Sequence, residues 1–152
     1  MERSIGVMKS VWNSKILAPA GTFSQGAAAL RAGADALYAG LPGFNARRMV
    51  DSGLSTMEDY LGLLAYTREQ GAEFHCAVNI LLKDSEIGKV MKAVTAVVEA
   101  GADIFIVQDY GLLLLLLKEF PGINIHASTQ FAVDGSHGFA FLENLGVKGV
   151  IL

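Results

Sequence analysis

Glu73-Phe74-His75-Cys76-Ala77-Val78-Asn79-Ile80 is the stretch whose reading decides the fold. Successive side chains of a strand point to opposite faces, so Phe74, Cys76, Val78 and Ile80 share one side. His75, Ala77 and Asn79 share the other. One face is therefore hydrocarbon and a thiol, and the other carries an imidazole and an amide. The same division recurs on both sides of this stretch. In Ala36-Leu37-Tyr38-Ala39-Gly40, Leu37 and Ala39 oppose Ala36, Tyr38 and Gly40. Along Ile123 to Ser128, Ile123, Ile125 and Ala127 oppose Asn124, His126 and Ser128. A buried strand face that carries polar groups must satisfy them, at a cost of about 2 kcal/mol or more for each failure.

Working outward, these strands are spaced by helical segments. Lys15 to Ala18 reads as a first strand, closed by the turn Pro19-Ala20-Gly21, and Thr22 or Ser24 caps a small-residue helix running to about Ala32. After Ala36–Gly40 comes a loop through Pro42, Gly43, Phe44, Arg47 and Arg48 to about Gly53. Ser55 and Glu58 form a capping box for a second helix, with Tyr60, Leu61, Leu64 and Ala65 on one side. Asp84 or Ser85 caps a third helix, in which Ile87, Val90, Met91, Val94, Val97 and Val98 keep the helical period. Ile104 to Gln108 is a fourth strand, Tyr110 to Phe120 a leucine-rich helix, Gly135 to Leu145 a last helix and Val150 to Leu152 a terminal strand. Helices stop at Gly33-Ala34, Gly71-Ala72, Gly101-Ala102 and Gly146-Val147, each just before a strand.

Six strands alternating with five helices predict an α/β fold with a parallel sheet. No G-x-G-x-x-G follows the first strand, so the dinucleotide-binding fingerprint of the doubly wound fold is missing. With apolar faces toward the helices, Tyr38, His75, Asn79 and His126 point into a common lumen. The expectation is a TIM-barrel-like (β/α) repeat, incomplete relative to the eight strands and roughly 250 residues of a full barrel. Residues 1–14 read as a leader and 15–152 as the N-terminal part of the barrel domain. Its unpaired strand edges call for a cover, either a second copy of the chain or another partner.

Composition bounds the function. Of 152 residues, 52% are hydrophobic and 18% charged, with a net charge of −3, so the chain offers no general electrostatic footprint for nucleic acid or anionic membrane. The single cysteine excludes an internal disulfide and any cysteine-rich metal site. The six leucines of Leu112–Leu117 fall far short of the roughly 20 apolar residues of a membrane span. The N-terminus has no apolar run of secretory length, so a cytoplasmic location is expected and no membrane partner. His75 and Cys76 are adjacent on a strand and face opposite ways, so they form no nucleophile–base pair. G-x-S-x-G and H-E-x-x-H are both absent.

Several stretches, taken in order, resemble one family. They are Leu17-Ala18-Pro19-Ala20-Gly21, Ala32-Gly33-Ala34-Asp35-Ala36-Leu37-Tyr38-Ala39-Gly40 and Phe44-Asn45-Ala46-Arg47, then Asn79 with Leu81-Leu82, Gln108-Asp109 with Gly111, and His126 with Ser128-Thr129-Gln130. Together they resemble peptidase family U32, the collagenase-like proteases, over nearly all of the chain from Lys15 onward. The resemblance implies the N-terminal part of a (β/α)8-like barrel within a longer protein. It also implies two kinds of activity, collagen degradation and the hydroxylation of RNA bases or ubiquinone precursors, some of it using prephenate. Hydroxylating relatives hold an iron–sulfur cluster through four cysteines that lie outside the matched region, so no cofactor ligand is assigned in this chain. The sequence departs from the family at Lys15, where an acidic residue is usual, and at Ala132 and Gly135, where asparagines are common.

Polar groups late in barrel strands gather at the C-terminal mouth, where barrel enzymes keep their chemistry. His126 is placed as a general acid or base there, because imidazole titrates near neutrality. Asp109 and Asn79, just past strand ends, complete the catalytic candidates by orienting substrate, although each equally suits tying down a loop. Tyr38, Arg47, Ser128, Thr129 and Gln130 are the substrate-binding candidates, with Arg47, followed by Arg48, suited to clamping a carboxylate or phosphate. No metal ligands are assigned. The readings are thus a hydroxylation-type enzyme of this family acting on a small molecule, peptide or RNA, a true peptidase, or a non-catalytic half-barrel completed by a partner.

Overall fold

The computed structural model describes residues 14–47 and 53–152. The expected leader, apart from Ser14, and Arg48 lie outside the described residues. The order is β1 (Leu17–Pro19), α1 (Phe23–Arg31), β2 (Ala36–Gly40), α2 (Met57–Glu69), β3 (Glu73–Val78), α3 (Asp84–Glu99), β4 (Ile104–Val107), α4 (Tyr110–Glu119), β5 (Ile125–Ala127), a 3₁₀ turn (Thr129–Phe131), α5 (Ser136–Leu145) and β6 (Gly149–Val150). The six strands pair in sequence order, β1-β2-β3-β4-β5-β6, all parallel. The sheet is a TIM-barrel-like half-barrel, incomplete against the eight strands of a full one.

The strand faces divide as the sequence requires. Leu37, Phe74, Cys76, Val78, Phe105, Val107, Ile125 and Ala127 are fully or almost fully buried in one continuous core beneath the helices. Helix α3 adds Val90, Val94 and Val97 to that core, and α4 adds Leu112, Leu113 and Leu116. The other sheet face holds a separate small cluster of Ala77, Ile104 and Ile106, against which Tyr38 and Ile151 pack. Its register runs Tyr38 opposite His75, His75 opposite Ile104, Ile106 opposite His126 and His126 opposite Gly149.

The four predicted helix stops all lie at left-handed backbone, with φ of +97° at Gly33, +73° at Gly71, +86° at Gly101 and +100° at Gly146. The aspartate two places after two of these glycines, Gly33 and Gly101, ties neighbouring strands together. Asp35 accepts the backbone amide of Ile16 at 2.7 Å, and Asp103 accepts that of Phe74 at 2.8 Å. These two helix–strand turns are thereby fixed to the strand before them.

Local ends differ from expectation in several places. Thr22 caps α1 as one of the two expected residues, accepting from the Gln25 amide. Helix α2 is capped by Thr56 and not Ser55: the Thr56 hydroxyl accepts from the Asp59 amide and donates to the Asp59 carboxylate. Tyr60, Leu63, Leu64 and Thr67 are the buried residues of α2, Leu61 is partly buried against the same core, and of the expected face only Ala65 is exposed. Helix α3 starts after Lys83, with Asp84 already helical, because Glu86 folds back to accept the Lys83 amide at 2.9 Å. Strand β1 sits later than expected, β3, β4 and β5 are shorter, and β6 begins at Gly149. No helix among the described residues is long and apolar enough to cross a membrane.

Candidate functional site at the strand C-termini

The Pro19-Ala20-Gly21 turn, the end of β2 and the residues after β3 enclose a cavity of about 200 Å³. Tyr38, Arg47 and Asn79, three of the predicted site residues, line it together with Gly40, Asn45 and Ala77. The loop that carries Arg47 is held by side-chain amides. Asn45 donates through Nδ2 to the Leu41 carbonyl at 2.8 Å, and its Oδ1 accepts the Arg47 amide at 2.9 Å. Asn79 Oδ1 accepts the Ala46 amide at 3.1 Å. Gly40 leaves the room for this, since a Cβ there would lie 2.4 Å from Asn45 Cγ. Arg47 is exposed and lines the cavity, and its loop is fixed through its backbone amide.

The remaining candidates form a separate sector across β4 and β5. Asp109 caps α4, with Oδ1 accepting the Leu112 amide at 2.8 Å and Oδ2 the Leu82 amide at 3.2 Å. Both oxygens bind backbone, which is the loop-tying alternative of its sequence reading. Ser128 is buried, and its hydroxyl lies 3.1 Å from Gln130 Oε1 and accepts the Gln130 amide at 3.3 Å. It caps the 3₁₀ turn, leaving Thr129 and Gln130 exposed. The structure therefore brings Tyr38, Arg47 and Asn79 together and places Asp109, Ser128, Thr129 and Gln130 outside the cavity they line.

His126 lies on the lumen face, half-buried, with its ring 6.2 Å from that of His75 in an edge-to-face arrangement. Burial, then the nearby His75, pushes its pKa below the usual imidazole value, opposed by Glu73. Glu73 forms an ion pair with Lys15 and lies 3.4 Å from His75 Nε2. The Lys15 contact is the first cause holding the Glu73 carboxyl below its ordinary range. Lys15 thus has a partner that an acid at this position would repel. Sequence reasoning assigned no role to Glu73 or Asn45. The signal for Glu73 was its place as third member of the repeated Gly-Ala-acid turn, Gly71-Ala72-Glu73.

The described residues do not fit an iron–sulfur cluster. Cys76 is fully buried among the helix-facing residues, and burial pushes its thiol up to about 12. No group of three or more His, Cys, Asp or Glu side chains among the described residues is placed to hold a metal ion.

The sequence pattern of Peptidase family U32 matches residues 21–152. The chain belongs to this family. It is 33% identical over 138 residues to the 23S rRNA 5-hydroxycytidine C2501 synthase of Escherichia coli, covering 91% of this chain and 20% of that protein. It is 30% identical to tRNA hydroxylation protein P of the same organism, over 93% of this chain and 31% of the relative. A collagenase of Porphyromonas gingivalis is 27% identical, over 84% of this chain and 30% of its own length. The chain thus spans between a fifth and a third of these U32 relatives. A solved U32 peptidase structure superposes with a TM-score of 0.73 at 12% identity, covering 95% of this chain and 60% of that one, and so shares the fold.

Proposed function

We propose that this chain is the N-terminal barrel portion of a U32 enzyme that hydroxylates an RNA base, and that its part in the reaction is to hold the ligand at the mouth. The observation that carries this reading is the cavity at the C-terminal ends of β1 to β3, lined by Tyr38, Arg47 and Asn79. It supplies a guanidinium, an aromatic ring on the lumen side and an anchored amide. Those are groups for a phosphate or carboxylate, a planar ring and polar ring substituents respectively. The similarity to two RNA-hydroxylation proteins supports RNA over other substrates. Because the net charge is −3, recognition rests on this local site and not on a basic surface.

A peptidase reading finds less support. Cys76 faces the helices with a thiol held protonated, and the Ser128 hydroxyl is engaged by its own turn. Among the described residues neither makes a hydrogen bond to a base that would activate a nucleophile.

The test is mass-spectrometric analysis of RNA from a strain lacking the full-length gene. We expect one hydroxylated nucleoside to disappear, to return with the wild-type gene and to stay low with Arg47→Ala. An unchanged nucleoside profile in the deletion strain would overturn the reading.

A further inference from the structure

Two buried side-chain atoms among the described residues lack a partner, Asn124 Oδ1 ahead of β5 and His75 Nδ1 on the lumen face of β3. His75 is 7% exposed, and among the described residues its Nδ1 makes no hydrogen bond. An unpaired buried group of this kind costs about 1–3 kcal/mol, so its retention calls for an account. The rest of the ring is organised. Nε2 faces Glu73 Oε2 at 3.4 Å, and Glu73 is held in turn by Lys15. Where Asp35 and Asp103 spend their carboxylates on strand amides, Glu73 turns into the lumen instead.

A carboxylate at Nε2 favours the tautomer with the proton on that nitrogen, which leaves Nδ1 with its lone pair. His75 sits one side-chain layer beneath the mouth: it lies opposite Tyr38 in the ladder and two residues before Ala77, and both of those line the cavity. The groups facing it are Glu73 on its own strand, Tyr38 on β2, His126 on β5, and Lys15 ahead of β1.

We propose that His75 is a ligand-contacting residue on the floor of the mouth, its Nδ1 accepting a hydrogen bond from a hydroxyl or amino group of the bound base or ribose. Glu73 and Lys15 are positioning residues that set the tautomer. This rests on the reading of the mouth as a nucleoside site. It adds a second layer to that site, reached when Tyr38 gives way.

The experiment is nitrogen-15 NMR of the histidine rings in the full-length protein at pH 8, with cytidine as the probe. We expect His75 to carry its proton on Nε2, Glu73→Ala to mix the tautomers, and cytidine to shift the Nδ1 resonance. His75→Phe, which keeps a ring of similar shape, should weaken cytidine binding about tenfold, the loss of one hydrogen bond. A proton on Nδ1 in the wild type overturns the inference, as does a tautomer indifferent to Glu73→Ala. Cytidine binding that shifts Tyr38 and Asn79 but spares His75 removes the floor contact and leaves the mouth intact. Cytidine binding nowhere overturns both.

Discussion

Gly149 lies against the imidazole of His126: a Cβ at residue 149 would come within 2.7 Å of both Nε2 and Cδ2. The two residues are partners in the β5–β6 ladder, on the same lumen face. The ring is half-buried because β6 offers it a flat backbone surface. Gly149→Ala should push the ring out of its seat. We expect a stability loss of about 1–3 kcal/mol by urea unfolding, as in other overpacked sites. The diagnostic is the His126 ring resonance, which should shift while that of His137 stays in place.

Gly40 makes the corresponding allowance for the mouth. A Cβ there would meet the Asn45 side chain at 2.4 to 2.8 Å, and Asn45 is what ties the Leu41 carbonyl to the Arg47 amide. Gly40→Ala should therefore release the Arg47 loop while β2 stays paired. Hydrogen exchange should rise at Arg47 and Ala46 and remain slow at Leu37 and Ala39. Protection unchanged at Arg47 would mean that the loop is held by something else.

Asp109 separates a catalytic from a structural carboxylate. Its two oxygens accept the Leu112 and Leu82 amides, so it caps α4 and fastens the β3–α3 loop at once. Asp109→Ala should cost about 1–2 kcal/mol in urea unfolding, the usual loss of a helix cap, and Asp109→Asn clearly less. If the proposed hydroxylation falls only as far as the loss of folded protein explains, the residue's part is structural.

The fold was legible because its signals are short-range and repeated. Gly-Ala-acid turns mark helix ends, and the two-residue period of Phe74 to Val78 marks which face meets the helices. Element ends were less legible. Ser55 and Thr56 are both good caps, and only the pairing of Thr56 with Asp59 selects between them. The sequence put Tyr38, Arg47 and Asn79 in one mouth with Asp109, His126, Ser128 and Gln130, and of these the first three line a common cavity. Asp109 and Ser128 were harder, because a carboxylate or hydroxyl just before a helix has the same sequence appearance whether it caps or reacts. His75 was placed in the lumen by periodicity, but its neighbour Glu73 pairs with Lys15 and so joins β3 to the approach to β1, 58 residues away. No local pattern predicts that.

Cys76 gives a chemical check on the strand assignment. It is fully buried, and burial pushes its thiol up to about 12, so the thiolate that alkylating reagents require is nearly absent. The native protein at pH 8 should resist iodoacetamide over hours and react within minutes in denaturant, as followed by intact mass. Rapid native labelling would place the thiol on the accessible lumen side and invert the β3 register.

The pH dependence of stability should resolve into two windows with different owners. The folded-state pKa of His126 lies below its ordinary 6.5, chiefly through burial, so between the two values the unfolded chain binds the proton that the folded one refuses. Stability therefore falls on acidification from about 6.5 down through the folded value, and then levels. Glu73 is shifted down from 4.5, chiefly by its Lys15 partner, so its contribution is present above 4.5 and is lost as pH falls through its folded value. Urea unfolding from pH 8 to pH 3 tests both. His126→Asn should remove part of the upper decline and leave the lower one, and Lys15→Met should weaken the lower one. An upper decline untouched by His126→Asn would assign that window to another group.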